Sequence, residues 1–370
     1  MELWTLNSTP ASGRLFLPEK PFDNYDSLIW TERYHGAGDF ELVSSNVKEA
    51  LDTFPLESYV GLRSSTVPMI VESWKIDKPK GKHARVTIKG RSFDSVLERR
   101  ASVIHTNAGT VKPAWNLNAG STSDAAYKAM RMVLGDIARS NLPVQSPAFV
   151  GDNMVELNLP LPTDYSTSTA NAYEIKPGNL YSTVLELLEV NHHGLRAIRP
   201  GPGKQTVDLE IYNGADLRTT AVFDARFDQF DNATYLLSYQ GSMNIAYVYG
   251  PGGSTFKQKN AGAAPLGINR RVLLIDEISE STLGNDANRQ SRALVELYNN
   301  NAIALFDGET SVQIADLYNK PIAQGGYGLG DILKLQGEYN LTRNVRVAEF
   351  IRSSDSSGEK AYPTFQVVDE

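Results

Sequence analysis

The chain has 370 residues, which at about 150 residues per domain predicts two or three domains, and its formal net charge is −7. It contains no cysteine, which excludes disulfide bonds, thiol nucleophiles, thiolate-bound zinc and iron–sulfur clusters. The acidic excess argues against a protein that grips the phosphates of nucleic acid. No apolar run approaches 18 residues and the N-terminal segment carries a glutamate, so we expect neither a membrane-spanning segment nor a signal peptide.

The first hundred residues predict β structure. Residues 84–89 alternate apolar and polar side chains, the pattern of a strand with one buried face. A Lys-, Pro- and Gly-containing segment, residues 78–82, predicts a hairpin loop in front of that strand. Ser92 predicts the N-cap of a short helix that runs to Arg100. Further predicted strands, rich in β-branched and aromatic residues, are residues 27–34, 39–43 and 69–76.

Helical spacing of apolar residues predicts two helices in the middle of the chain, at residues 121–140 and 179–191. The Pro-, Ser- and Thr-rich stretch between them, residues 142–169, predicts loop and extended chain. A third helix is predicted at residues 286–305, after a Gly-rich loop at residues 250–267. The remaining predicted strands are residues 206–212, 235–239, 243–249, 271–278, 331–335, 345–351 and 362–368.

Two stretches match at a constant shift of 205 residues, which indicates an internal duplication. The match begins with Phe22-Asp-Asn-Tyr-Asp26 against Phe227-Asp-Gln-Phe-Asp231. It continues through four pairs at the same shift: Tyr34 and Tyr239, Gly36 and Gly241, Phe40 and Ile245, Val43 and Val248.

A second match has a shift of 277 residues. Val71-Glu-Ser-Trp74 lies over Ala348-Glu-Phe-Ile351, and each glutamate is followed nine residues later by a glycine, Gly81 or Gly358. The two shifts differ by 72 residues, which predicts an insertion that contains the Gly-rich loop and the third helix. We interpret the chain as two copies of one β unit in the same order, the second interrupted near its middle.

Glu72 and Glu349 are the most informative charged residues. Each stands on a predicted strand between apolar residues of the same face, where a carboxylate requires an arginine partner or an interface. Their occurrence in both copies favours a structural role over a catalytic one.

Sequence patterns that resemble catalytic or cofactor motifs do not meet their requirements. His192 and His193 are adjacent, without the His-Glu-x-x-His spacing of a zinc enzyme. The segment 201–204 lacks the first glycine of a phosphate-binding loop, and the glycine cluster 325–330 precedes a strand rather than a helix. Ser357-Gly-Glu-Lys360 matches Ser-x-x-Lys inside a predicted hairpin loop. We therefore predict no enzyme activity, no metal and no cofactor.

Six short segments, spread over nearly the whole chain, occur in a specific order and spacing. They are Ser27-Leu-Ile-Trp-Thr-Glu-Arg-Tyr34, Gly36-Ala-Gly-Asp-Phe-Glu-Leu42, Gly90-Arg-Ser-Phe-Asp-Ser-Val-Leu-Glu-Arg-Arg100, Tyr327-Gly-Leu-Gly-Asp331, Arg346-Val-Ala-Glu349 and Pro363-Thr-Phe365. Together they resemble the tail-tip (baseplate) hub proteins of siphophages, often called minor tail proteins. These are similar to the hubs of contractile-tailed phages and to the N-terminal part of tail-associated lysins.

This resemblance implies a mainly β (α+β) fold with two duplicated tube-type β-barrels and a helix-containing lateral domain. The implied domains are residues 1–105 for the first barrel, 106–215 for the lateral domain and 216–370 for the second barrel, whose inserted loop and helix lie at about 250–310. It also implies a homotrimer in which two barrels per subunit make a pseudo-sixfold ring that continues the tail tube. Because the chain ends shortly after the second copy, we expect no fused lysin module.

The resemblance further implies a virion protein, made in the host cytoplasm and located at the distal end of the tail. The implied partners are the distal tail protein ring, the tape-measure protein, fibre or central tip proteins, and genomic DNA that passes through the lumen without specific binding. An acidic chain suits such a channel, so we expect a lumen lined by acidic and neutral side chains. Two other interpretations stay open: a tail-tip cell-wall hydrolase, and a carbohydrate-binding adhesin, which 17 Tyr and 4 Trp permit.

Ten residues of these segments and of the two glutamate positions are expected to serve structure or assembly. They are Trp30, Arg33, Gly38, Asp39, Glu41, Glu72, Arg91, Gly330, Asp331 and Glu349. None of them is expected to take part in catalysis.

Overall fold

The chain divides into two compact units in a computed structural model. The sheet unit comprises Met1–Asp231 and Thr310–Glu370, and the insert unit comprises Asn232–Glu309. Residues 216–370, expected to form the second barrel, contribute to both units. The structure describes residues 1–6, 16–81, 83–103, 115–119, 121–134, 157–158, 171–189, 191–200, 206–224, 230–250, 253–258, 267–276, 293–294, 296–297, 299–300, 303–310, 312–336 and 342–368.

The fold is mainly β with few helices, as predicted. The strands are β1 (Leu3–Leu6), β2 (Pro18–Phe22), β3 (Ser27–Arg33), β4 (Asp39–Ser44), β5 (Tyr59–Leu62), β6 (Pro68–Asp77), β7 (Arg85–Ser92), β8 (Trp115–Ala119), β9 (Leu157–Asn158), β10 (Asn171–Ile175), β11 (Gly194–Ile198), β12 (Val207–Tyr212), β13 (Val222–Asp224), β14 (Phe230–Ser238), β15 (Ile245–Gly250), β16 (Gly253–Gln258), β17 (Val272–Asp276), β18 (Ile303–Thr310), β19 (Ile332–Gln336), β20 (Thr342–Asp355) and β21 (Gly358–Val367). The helices are α1 (Val47–Thr53), α2 (Thr122–Leu134), α3 (Leu180–Glu189), α4 (Val312–Ala315) and 3₁₀ turns at Phe93–Arg99, Gly267–Asn269 and Ile322–Gln324. No helix in the described part of the chain is long and apolar enough to cross a membrane.

One sheet of 11 strands joins the two ends of the chain in the sheet unit. Its order is β13-β19-β20-β3-β4-β7-β6-β5-β1-β2, and β21 adds to β20. Nearly all neighbours are antiparallel; β13 and β19 are parallel. The central junction is β20 against β3, in which Glu349 is the register partner of Arg33 and Ser354 that of Leu28. A strand from residues 342–355 is therefore the direct neighbour of a strand from residues 27–33.

The core of this sheet follows from the alternation of side chains along its strands. Leu28 and Trp30 on β3, Leu42 on β4 and Ile88 on β7 are fully buried, while their neighbours along each strand lie on the other face. Helix α1 closes the buried side, because its Ala50 packs into the same apolar cluster.

A second apolar cluster lies under α2 and α3. Met130 of α2, Val184 of α3 and Leu209 of β12 are fully buried in it, together with Phe93 and Leu97 of the first 3₁₀ turn. The predicted helices at 121–140 and 179–191 correspond to α2 and α3, and residues 135–140 lie outside the described residues. Within the predicted loop at 142–169 the structure describes two residues, 157–158, which form β9 parallel to β12.

Ser92 precedes the first 3₁₀ turn as predicted, but its side chain makes no capping hydrogen bond there. The Ser92 hydroxyl instead accepts a hydrogen bond of 2.8 Å from the amide N–H of Gly38. Ser92 is also the last residue of β7, so a bond across the sheet takes the place of the cap.

Two predictions in the insert unit are wrong in part. The predicted loop at residues 250–267 contains strand β16, whose alternating Ser-Thr-Phe-Lys-Gln run pairs antiparallel with β15 over six residues. The predicted helix at 286–305 is helical where it is described between residues 293 and 299, but residues from 303 onward form β18. β-branched and aromatic residues in β18 favour a strand beside β14, and this pairing overrides the helical spacing.

The backbone repeats the sequence match at two pairs of turns. Gly36 and Gly241 have φ of 91° and 77°, and Gly81 and Gly358 have φ of 78° and 122°. Each pair falls on one of the two shifts found in the sequence, and a left-handed backbone of this kind favours glycine.

The hairpins β6–β7 and β20–β21 also repeat a β-bulge. The register shifts between Val71 and Ser73 in β6 and between Val347 and Glu349 in β20. These bulges match at a shift of 276, one residue less than the sequence match. The copies differ in their first halves: β3 pairs with β4, whereas in the described part of the insert unit β14 pairs with β18 and β15 pairs with β16 and β17.

Candidate functional site

Five of the predicted residues form one row of alternating charge across five neighbouring strands of the sheet unit. The charge row consists of Glu349, Arg33, Asp39, Arg91 and Glu72, on β20, β3, β4, β7 and β6. Arg33 Nε lies 2.7 Å from Glu349 Oε1, and Arg33 Nη2 lies 3.2 Å from Asp39 Oδ1. Asp39 is the register partner of Arg91, which binds Glu72 with two hydrogen bonds of 2.7 and 3.0 Å.

Both glutamates therefore have the arginine partner that the sequence predicted, but in different settings. Arg91 lies within the same hairpin as Glu72, whereas Arg33 lies on β3, across the junction from Glu349. The row continues past Arg91, whose Nη1 donates to Glu98 at 2.7 Å. Ion pairs with this degree of exposure contribute roughly 0–1 kcal/mol each, so the row adds little to the stability of the sheet.

Three other predicted residues, Glu41, Trp30 and Gly38, lie beside the row in the sheet unit. Glu41 pairs with the exposed Lys89 at 2.6 Å in the next row. Trp30 is fully buried on the opposite face, with its ring stacked on Phe40 at 5.9 Å. A Cβ on Gly38 would lie 2.4 Å from a backbone oxygen of β3, so the start of β4 can approach β3 only with glycine there.

A buried ion pair under the charge row is the main site feature that the sequence analysis missed. Arg352 Nη1 lies 2.6 Å from Glu32 Oε1, and both residues are at most 7% exposed. Tyr318 donates from its hydroxyl to Glu32 Oε2 at 3.2 Å and stacks on Phe350. Burial and the neighbouring Glu32 carboxylate raise the pKa of Tyr318 well above its usual value. The alternation of β3 contains the signal, since Glu32 shares its face with Leu28 and Trp30.

Gly330 and Asp331 fix the loop in front of β19. Gly330 has φ of 85°, and a Cβ there would lie 2.1 Å from the ring of Tyr34. The Asp331 carboxylate accepts hydrogen bonds of 2.7 Å from the amides of Ala215 and Gly328. Burial raises the pKa of Asp331 in spite of these bonds. Both residues therefore fix the backbone of the loop that precedes β19.

Arg346 and three histidines surround Tyr34, which is fully buried. The guanidinium of Arg346 lies 5.3 Å from the centre of the Tyr34 ring, and His35 contacts that ring edge-on at 4.6 Å. The Tyr34 hydroxyl donates to the carbonyl of His192, and His193 Nδ1 lies 2.7 Å from the Ser123 hydroxyl. Burial, together with Arg346 and the two neighbouring histidines, lowers the pKa of His35 to about 4.

A cavity of about 590 Å³ opens beside these residues within the sheet unit. Its acidic lining residues Glu32, Asp94 and Asp331 are each held by hydrogen bonds: Asp94 by the hydroxyl of Tyr181 at 2.8 Å, the other two as described above. Burial raises the pKa of Asp94. The described residues contain no group of three or more His, Cys, Asp or Glu that could hold a metal ion. The polar groups at the cavity therefore bind one another and hold the surrounding strands together.

Comparison with known proteins places this arrangement in a family. The family of siphovirus ReqiPepy6 Gp37-like proteins matches residues 17–365, nearly the whole chain. The chain belongs to this family. Its siphophage resemblance, inferred from six short segments, is thus confirmed. No curated protein matches the chain by sequence.

Solved structures of phage tail proteins share the fold of this Gp37-like chain. The 43 kDa tail protein of prophage MuSo2 from Shewanella oneidensis has 10% identity and a TM-score of 0.56, over 99% of this chain and 98% of that one. The tail protein from Neisseria meningitidis MC58 has 12% identity and a TM-score of 0.57, over 100% and 97%. Prophage tail protein gp18 from Listeria monocytogenes EGD-e has 11% identity and a TM-score of 0.51, over 100% and 95%. At such identities the likeness establishes the fold, which is that of phage tail proteins.

Proposed function

We propose that this protein is a tail-tip hub subunit that closes or extends the tail tube as a pseudo-sixfold ring. Its siphovirus family and its tail-protein fold support the more general statement, a structural protein of the phage tail. In the proposed virion the ring lies at the distal end of the tail. Three subunits, each with two related β units, supply the six positions that continue a hexameric tube.

The observation that carries this proposal is the repeat within one sheet. The hairpins β6–β7 and β20–β21 share a bulge and a left-handed glycine turn, and β20 extends the sheet of the first copy by pairing with β3. A ring whose pseudo-symmetry is twice its number of subunits requires two related copies of the same β structure in each chain.

The proposed partners are the tail components on either side of the ring. The distal tail protein ring and the tape-measure protein would lie towards the tube, and fibre or central tip proteins on the other side. Genomic DNA would pass through the lumen without being held. Two observations indicate that DNA phosphates would be attracted only weakly. The net charge is −7, and both arginines of the charge row are paired with carboxylates.

Electron cryomicroscopy of phage tails that contain this protein tests the proposal. We expect three copies in a ring at the distal end of the tail, with the two hairpins of each copy at pseudo-equivalent positions. A single copy, a sixfold ring of six chains, or a location away from the tail tip would overturn it. Monomeric behaviour of the purified protein would not count, because neighbouring tail proteins can drive assembly.

The proposed role is that of a non-enzyme. The most buried carboxylates near the cavity, Glu32 and Asp94, are engaged by Arg352 and Tyr181 and are not arranged as an acid and a base around an open site. Incubation of the purified protein with murein should release no soluble fragments. Turnover that disappears on substitution of a single carboxylate would favour the cell-wall hydrolase instead, and glycan binding would favour the adhesin.

A further inference from the structure

The second half of β6 is an edge without a neighbouring strand among the described residues. From Met69 to Asp77, β6 pairs with β7, but its other edge pairs with β5 only as far as Ile70. Residues 73–77 are all exposed, and they include the apolar Trp74 and Ile76, which are 46% and 43% exposed. An exposed edge with large apolar side chains is a template for another strand.

The repeated hairpin shows what occupies the corresponding edge in the other copy. One edge of β20 pairs with the short strand β19 before the bulge, as that of β6 pairs with β5. The other edge of β20 pairs with its hairpin partner β21, as that of β6 pairs with β7. After the bulge, residues 349–354 of β20 pair antiparallel with β3. The edge of β6 after its bulge is thus the counterpart of an edge that is filled in β20.

We propose that residues 73–77 of β6 receive strand β14 of a second copy of this chain. β14 is the counterpart of β3 at the shift of 205, and among the described residues it pairs only with β18. Transfer of the β20–β3 register predicts that Ser73 lies opposite Ser238 and that Lys75 lies opposite Leu236, which is 47% exposed. This pairing rests on the proposed ring and names the contact that closes it.

The β20–β3 junction and the proposed β6–β14 junction differ at one facing pair on the outer face of the sheet, and the two residues of each pair suit each other. In the β20–β3 junction Glu349 lies opposite Arg33 and forms an ion pair with it. When the hairpins are aligned at their bulges, at a shift of 276, the counterpart of Glu349 is Ser73, and the counterpart of Arg33 at the shift of 205 is Ser238. Both members of the pair change together, from opposite charges to small neutral residues, so neither junction leaves an unpaired charge at this position.

The same holds on the inner face. The internal junction buries Glu32 and Arg352 as an ion pair. Their counterparts at the shifts of 205 and 276 are Leu237 and Ile76, both apolar. A buried charge needs its partner, whereas two apolar residues need only each other. The exposed Ile76 is therefore the residue expected if the contact of this face is supplied by another subunit.

Cysteine cross-linking in assembled tails tests this pairing, and the chain has no cysteine of its own. Residues directly opposite in an antiparallel pair have Cβ atoms about 5 Å apart, within reach of a disulfide after small adjustments. The double variant Ser73→Cys/Ser238→Cys should give covalent trimers on a non-reducing gel after mild oxidation. The matched control Asp77→Cys/Ser238→Cys displaces one thiol by four residues, about 13 Å along β6, and should give none.

The outcomes separate this inference from the proposed function. Covalent trimers from the first variant alone support the pairing. If tails whose ring has threefold symmetry give no cross-link, or a disulfide within one chain, the pairing is wrong and the ring stands. If electron cryomicroscopy of the same tails shows no ring of three copies, the proposed function fails as well.

Discussion

The pair formed by Glu32 and Arg352 connects residues 320 positions apart in the sequence, at the junction of the two ends of the chain. Removal of one member of a buried pair leaves an uncompensated charge, which costs about 3–5 kcal/mol. Arg352→Met should therefore lower the free energy of unfolding by about that amount in chemical denaturation. The exposed pair of Glu41 and Lys89 offers a control.

Lys89→Met should change the free energy of unfolding by less than about 1 kcal/mol. The double variant Glu32→Leu/Arg352→Ile should recover much of the loss, because replacement of a whole buried pair by apolar residues is often close to neutral. If Arg352→Met costs no more than Lys89→Met, the buried pair does not stabilise the junction.

Gly330 provides a second prediction at the scale of one residue. A methyl group there would have to displace the fully buried Tyr34 ring and would also strain a backbone with positive φ. Gly330→Ala should lower the melting temperature more than Gly325→Ala, because Gly325 has φ of 77° but open space at its Cβ. The strain of φ alone costs about 1 kcal/mol, so any excess reports the contact with Tyr34. Equal melting temperatures would contradict the tight packing.

The sequence predicts contacts of single residues only where a local pattern determines them. The sequence places the glutamates of β6 and β20 between apolar residues of one face and predicts an arginine partner for each. The bulge in β6 puts Trp74 on the face opposite Glu72, so this placement is wrong, and the arginines meet the glutamates on the charged outer face. The identity of those arginines could not follow, since Arg33 meets Glu349 only through the pairing of β3 with β20. Glu32 obeyed the same rule, but its partner is equally remote in sequence.

At the scale of elements, the cluster around Tyr34 makes the junction sensitive to acid. His35 follows β3, and it faces Arg346 of β20, the two histidines after α3 and the Tyr34 ring. Its folded pKa of about 4 lies below the usual value of 6.5, so the unfolded chain takes up the proton first. Stability is therefore fully present above about pH 6.5 and falls as the pH decreases towards 4, by at most about 3 kcal/mol from this residue.

Urea unfolding between pH 7.5 and 4.5 measures this dependence. His35→Gln should flatten the decrease below pH 6.5, although part of it should persist because burial also lowers the pKa of His192 and His193. His83→Gln in the exposed β6–β7 loop should keep the full decrease. Identical profiles for the two variants would show that His35 does not titrate as its surroundings predict.

The prediction of whole elements is limited by long-range pairing in the same way as the prediction of residue contacts. Helices α2 and α3 and strands β3, β4, β6 and β7 lie near their predicted bounds, whereas the short strands β1, β2 and β5 and helix α1 were not predicted. Strand β16 was missed because glycines beside it indicate a loop, and β18 was assigned to a helix because its apolar residues continue a helical spacing. In both strands the pairing partner decides the conformation, and no local pattern reports that partner.

At the scale of the whole molecule, the sheet unit is formed by the two ends of the chain, and the insert unit by residues between them. β14 and β18, where the chain enters and leaves the insert unit, are neighbouring strands of one small sheet. A short Gly–Ser linker in place of residues 232–309 should therefore leave the sheet unit folded, with a cooperative thermal transition in circular dichroism.

The matched control ends the chain before Thr310 and removes β19, β20 and β21. It should unfold at a much lower temperature, because it exposes the edge of β3 and leaves Glu32 buried without Arg352. A linker variant that lacks a cooperative transition would show that the sheet unit cannot fold without the insert unit.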